Sequence, residues 1–132
     1  MGKHALTVFP YYKNPDGAYF PIIPLQLRSQ KKNLDSSALI DSGATISIFR
    51  TDVAEYLGIP IQKGKEIFLG GVGGRIKGYI HTLEMKIANE AFHCPIVFSF
   101  EYLVSFNLLG RNAFFKKYTI MFEERRKRIT LQ

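Results

Sequence analysis

Residues 36–49, SSALIDSGATISIF, set a single carboxylate, Asp41, between an apolar run and a Ser42-Gly43-Ala44 turn. An Asp in such a turn commonly serves structure alone, because its side chain bonds nearby backbone amides and tolerates tight geometry. The apolar flanks, residues 38–40 and 46–49, predict something further. They would hold Asp41 at the bottom of a hydrophobic frame, where a carboxylate is costly unless it is hydrogen-bonded or partnered. Taken alone, these residues leave both readings open.

Other chemistry-bearing residues carry less. His93 and Cys94 are adjacent, but neighbours on a strand point to opposite faces, so a buried cysteine is the simpler reading than a nucleophilic pair. His4, His81 and His93 lack metal-ligand spacing, and no metal or other cofactor is expected. The run Gly70-Gly71-Val72-Gly73-Gly74 fails the dinucleotide pattern and opens no helix; it reads as a mobile hairpin tip. Phe114 and Phe115 read as core and groove wall rather than as a base-stacking platform.

The elements that must position Asp41 follow from pattern. At 132 residues, 46% hydrophobic and 22% charged, the chain fits one globular domain with a real core. Residues 1–18 combine aromatics with Pro15-Asp16-Gly17 turn chemistry and read as an irregular arm; residues 19–132 read as the domain. Pro21 and Pro24 restrict the first strand to an edge or its own start, and residues 30–36 read as a polar hairpin loop. Two short strands then bracket Asp41. Residues 51–60 predict a helix capped by Thr51 and stopped by Gly58 and Pro60. Residues 65–100 read as strand after strand, a second short helix starts near Asn112, and residues 119–132 close as a hairpin around a charged turn. The fold class is therefore mainly β with two short helices.

The formal charge of +7 raises nucleic acid as a partner. Its sources, Lys31 and Lys32, Lys116 and Lys117, and residues 125–128, are separate clusters in turns or at element ends, so solvated loops are the plainer reading. A single cysteine, no apolar leader and no spanning segment point to an intracellular, cytoplasmic protein without a membrane partner.

At this point the residues carry a resemblance. ALIDSGATISIF resembles the active-site loop of the retropepsins, the aspartic proteases of retroviruses, and of their cellular relatives, while the tail YTIMFEERRKRITL and the stretch RIKGYIH look more like cellular retropepsin-like domains such as that of the Ddi proteins. In the same order, IFLGGVGGRIKGY resembles the retropepsin flap, and FNLLGRNAFF resembles the family's Gly-Arg-Asn segment and following helix. Together these cover roughly residues 19 to 120, and three motifs in order are far more specific than one. The resemblance implies a closed acid-protease barrel, one lobe per chain, acting as an aspartic endopeptidase.

Peptide hydrolysis by carboxylates needs one group as base toward water and a second, protonated, to polarise the carbonyl. Two carboxyls in contact meet this by sharing a proton, as aspartic protease dyads do generally. This chain has one D-S-G triplet, so the chemistry would require a homodimer with an Asp41 from each subunit. By match to the family, Ser42 would hydrogen-bond across the axis, Gly43 would let backbone approach the substrate, and Ala44 would keep the floor narrow. Residues 70–74 would close over an extended peptide, and Leu108, Leu109 and Gly110 would pack behind the Asp41 turn. Ile40, Ile46, Ile48, Val72 and Ile76 would line or support side-chain pockets, and residues 119–122 and 129–131 would supply interface strands. One departure stands out. Viral members carry an acid after D-T/S-G-A, paired with the arginine of G-R-N; here that position is Thr45 while Arg111 remains, so Arg111 needs another partner, such as Asp52, Glu55 or a carbonyl. The competing readings are a non-catalytic dimerisation or peptide-binding module of the same fold and, more remotely, a basic nucleic-acid-binding domain.

Overall fold

The computed structural model describes residues 6–71 and 73–132; His4 and Val72 lie outside them. In chain order the described elements are β1 (Thr7–Pro10), β2 (Tyr12–Lys13), β3 (Tyr19–Phe20), β4 (Ile22–Arg28), β5 (Asn33–Ile40), β6 (Ser47–Phe49), α1 (Thr51–Leu57), a 3-10 turn (Ile61–Lys63), β7 (Lys65–Gly71), β8 (Gly74–Ile87), β9 (Glu90–Phe98), β10 (Asn107–Leu109), α2 (Phe114–Lys117), β11 (Ile120–Glu123) and β12 (Arg128–Leu131). The main sheet runs β4-β5-β10-β6-β9-β8-β7, and a further β4–β8 pairing closes it into a barrel from which β7 projects. Most pairings are antiparallel. The exceptions are β5 with β10 and β6 with β9, which run parallel and thread the segment carrying Asp41 through the barrel wall.

Alternation explains the strands. Ile23, Leu25 and Leu27 of β4 face inward while Pro24 and Arg28 face out. Pro24 lies ahead of the β8 pairing, which begins at Gln26, so its missing donor falls where β4 has one neighbour. Phe49, Met85, Ile96, Phe98, Leu109 and Phe114, all fully buried, fill the barrel from five different elements. Val53, Ala54 and Leu57 seat α1 on it.

Several expectations are corrected. The arm expected to be irregular carries β1, which pairs with β12 from Thr7 against Leu131 to Pro10 against Arg128. Its partner lies at the far end of the sequence, where local pattern cannot find it. Asn33 to Ser36, expected in a loop, continue β5 because β4 pairs them down to Asn33, leaving a shorter turn at residues 29–32. Arg50, rather than Thr51, precedes the first turn of α1. Its N–H is held by the Asn107 Oδ1 at 2.8 Å and its guanidinium by Asp52 at 3.1 Å, so no side-chain cap is made. Gly58 ends the helix as expected, at φ 73°. Finally, β12 is the middle strand of the β1-β12-β11 sheet, with Ile129 and Leu131 buried in this chain's own core. Both of its edges are occupied, so the free edges belong to β1 and to β11.

Candidate active site

Asp41 leaves β5 at the point where β5 and β10 run side by side. Its N–H donates to the Leu109 carbonyl at 3.0 Å, which ties the start of the turn to the end of β10. The Ala44 N–H closes the turn onto the Asp41 carbonyl at 3.2 Å, and the Gly43 N–H donates to the Asp41 Oδ1 at 2.9 Å. The carboxylate is half-buried, not sunk to the bottom of an apolar frame: Ile40 before it is buried, while Ser42 and Gly43 after it are exposed. One oxygen is thereby fixed by the turn, and among the described residues the other accepts no hydrogen bond. Gly43 earns its place through this contact, since a Cβ there would stand 3.3 Å from that same Oδ1.

The segment after β10 crosses over the turn and stitches it down. Gly110 N–H donates to the Ser47 hydroxyl at 3.0 Å, Arg111 N–H to the Ala44 carbonyl at 2.9 Å and Asn112 N–H to the Thr45 carbonyl at 2.9 Å. The crossing is so close that a Cβ on Gly110 would meet the Ile46 backbone at 2.6 Å. Leu109 is fully buried behind the turn and Leu108 is half-buried. The Arg111 guanidinium reaches the Thr45 hydroxyl at 3.4 Å; neither Asp52, which Arg50 holds, nor any other carboxylate among the described residues pairs with it.

Three residues outside the sequence reading complete the support. Ser47, fully buried, accepts from Gly110 and is approached by the Cys94 Sγ at 4.0 Å. Burial pushes that thiol up to about 11, against a smaller lowering by the Ser47 contact, so Cys94 is a packed thiol and not a nucleophile. Asn107 donates to the Ser37 carbonyl at 3.0 Å and to the Ser36 hydroxyl at 3.3 Å while accepting from Arg50, joining β5, β10 and the start of α1. A polar residue inside the apolar run FNLL was the available signal. Tyr102 donates to the Phe106 carbonyl at 2.6 Å, and Arg50 to the Ser105 carbonyl at 2.9 Å, so the loop at 99–106 is pinned beside the turn with Leu103 almost fully exposed. Burial, and to a lesser degree the Asp41 charge, push the Tyr102 hydroxyl up to about 12 against the opposing pull of Arg50, which keeps it a donor.

The glycine hairpin has two kinds of glycine. Gly73 and Gly74 take φ 97° and 123°, a region that side chains rarely adopt. Gly70 and Gly71 have neither that φ nor any atom within 4 Å of a Cβ, so nothing inside the described chain explains their bareness. The hairpin's base is anchored: Ser99 donates to the Lys77 carbonyl, and Gly78 lets β8 press onto Val97. Across its strands Lys77 pairs with Glu66 at 3.8 Å and Arg75 stacks over Phe68 at 4.6 Å. His81 and His93 stand apart from this geometry. His81 bonds the Ile61 carbonyl at 2.8 Å and packs on Phe98, and His93 is exposed opposite the buried Cys94. Among the described residues, no cluster of three or more His, Cys, Asp or Glu side chains could hold a metal ion.

A family model described as aspartyl protease matches residues 26–113, two thirds of the chain and the whole of the Asp41 turn, glycine hairpin and crossing segment. The chain belongs to the aspartyl protease family. Solved structures agree on the fold. A retropepsin-like aspartic protease from Rickettsia conorii superposes with a TM-score of 0.72 at 17% identity, over 96% of this chain and 91% of that one. EIAV protease complexed with the inhibitor HBY-793 does so with a TM-score of 0.54 at 19% identity, over 70% of this chain and 82% of that one. No curated protein sequence matches the chain. The aspartyl protease fold is thus of the retropepsin type, and the elements outside the family match are β1, β2, β3, the start of β4 up to residue 25, α2, β11 and β12. Among the described residues no helix is long and apolar enough to cross a membrane.

Proposed function

We propose that this aspartyl protease is an endopeptidase whose working site pairs Asp41 with the Asp41 of a second copy. The observation that carries the reading is the Asp41 turn: one carboxylate oxygen is fixed by Gly43, and the backbone is tied to Leu109 and crossed by Gly110 to Asn112. Such rigidity suits a group that must hold a second carboxylate at hydrogen-bond range, where like charges cannot both ionise and one proton is shared. The unprotonated member takes a proton from water; the protonated member polarises the peptide carbonyl and then serves the leaving amine. Ser42, exposed at the turn's tip, would bond across the axis, and Ala44 would form the floor.

The hairpin of β7 and β8 would act as a flap, excluding water and lending backbone bonds to an extended peptide. Bare backbone at Gly70 and Gly71 supports this, because a close partner from outside the chain would account for it. Val72 belongs to the same proposal by its place in the sequence. For the second copy, the free edge of β11 supports an approach through residues 119–122, where Met121 and Phe122 are exposed. Residues 129–131 would contribute as the layer behind that edge rather than as the edge itself.

Asp41→Asn tests the reading. It is expected to abolish cleavage of a diverse peptide library from acidic to neutral pH, and pepstatin-type inhibition with it, while leaving sedimentation and the melting transition intact. A dimeric wild type that cleaves nothing under these conditions sinks the endopeptidase reading and leaves a peptide-binding module of the same fold.

A further inference from the structure

Arg111 is an arginine held in place with no carboxylate partner among the described residues. Its backbone is fixed on both sides, by its own N–H on the Ala44 carbonyl and by its carbonyl accepting from Phe115 N–H at 3.2 Å. Its side chain is exposed, yet it turns back along the Asp41 turn to Thr45, a neutral hydroxyl at 3.4 Å. Five of the other six guanidinium groups are matched, Arg28 by Glu84, Arg50 by Asp52, Arg75 by the Phe68 ring, Arg126 and Arg128 by Glu123; the sixth, Arg125, stands exposed in the charged turn between β11 and β12, away from the Asp41 turn. A hydroxyl offers one weak acceptor to a group built to bind two oxygens of a carboxylate side by side.

We infer that Arg111 is a specificity residue that binds an acidic side chain of the peptide substrate, an inference that rests on the endopeptidase reading above. Thr45 lies four residues beyond Asp41, and because the Ala44 N–H folds the segment back onto the Asp41 carbonyl, the Thr45 backbone sits well within the about 13 Å that four extended residues could span. A peptide lying along the turn covers that distance in about four residues, which places the recognised Glu or Asp within four positions of the cut bond. In a two-fold site each side of the cut has its own Arg111. The formal charge of +7 draws an acidic peptide in, and a carboxylate from the second copy is the competing occupant, which loss of the dimer on Arg111→Gln would reveal.

The experiment compares peptides that differ only by Glu or Gln at each of the four positions on either side of the cleavage site. Wild type is expected to favour Glu at one of these by about tenfold in kcat/KM, less at high salt. Arg111→Gln is expected to bring that ratio to about one without changing the sedimentation coefficient, and Arg111→Lys, which keeps the charge but not the fork, to leave an intermediate ratio. Equal loss for both peptides, dissociation of the dimer on Arg111→Gln, or no Glu preference in wild type overturns the inference. Binding of the same labelled peptides to Asp41→Asn separates the two proposals. An Arg111-dependent preference for Glu in that binding, with no cleavage by wild type, supports the role of Arg111 and refutes the endopeptidase; no such preference refutes the role of Arg111 whether or not wild type cleaves.

Discussion

A methyl group at Gly110 would lie 2.6 Å from the Ile46 carbonyl and 2.9 Å from that of Ala44, and both are backbone atoms of the turn that carries Asp41. Neither can step aside without moving the carboxylate. Gly110→Ala is therefore expected to cost about 1–3 kcal/mol in urea unfolding and to lower cleavage more than that loss of folded protein explains. Equal stability with full activity would show that the crossing is looser than drawn. At this scale the sequence was legible where function compresses into a local motif: Asp41, Ser42 and Gly43 stand together, and Gly110 follows two leucines. It was not legible at Ser47 and Gly78, whose partners Gly110 and Val97 are distant in sequence, and at Asn107 the polar residue within FNLL signalled a contact without naming its partner Ser37. Nor does a sequence show that Asp52, a plausible partner for Arg111, is already taken by Arg50 two residues away.

Among the elements, the β7–β8 hairpin separates folding from function most cleanly. A Cβ at Gly70 would have no atom of the described residues within 4 Å beyond its chain neighbours, and φ there is ordinary. Gly70→Val is thus expected to leave the unfolding free energy within about 0.5 kcal/mol of wild type, since a surface change away from special geometry does little. If the hairpin closes over a peptide, the same substitution should reduce kcat/KM at least tenfold. Unchanged cleavage would remove the flap from the mechanism. Element existence was readable from alternation and turn residues, as in β4, β8 and β9. Ends were less so: α2 starts at Phe114 rather than Asn112 because Asn112 is tied to Thr45 and Ala113 takes φ 71°. β1 escaped notice because its four residues pair with β12, at the far end of the sequence and in a sheet separate from the barrel.

For the whole molecule, charge and edge geometry pull in opposite directions. A formal +7 per chain opposes association, while exposed Met121 and Phe122 along a free strand favour it. Met121→Asp adds a charge to the exposed face of that edge without touching the core. It is expected to yield a folded monomer by sedimentation, with an unchanged melting transition and cleavage that falls at least tenfold at dilute protein. A Met121→Asp dimer with normal cleavage would move the contact to the β1 edge or elsewhere. The three-stranded sheet beside this edge has another consequence. Thr7 pairs with Leu131, so β1 has no partner until nearly all of the sequence between them has been made and β12 has reached its place. Such a contact carries the greatest loop-closure cost in the molecule and is expected to form last, on the slow side of β-rich folding. During synthesis the turn bearing Asp41 can be built before the sheet that seals the chain, so a growing protein would carry its carboxylate early and its finished outer surface only once β12 has emerged.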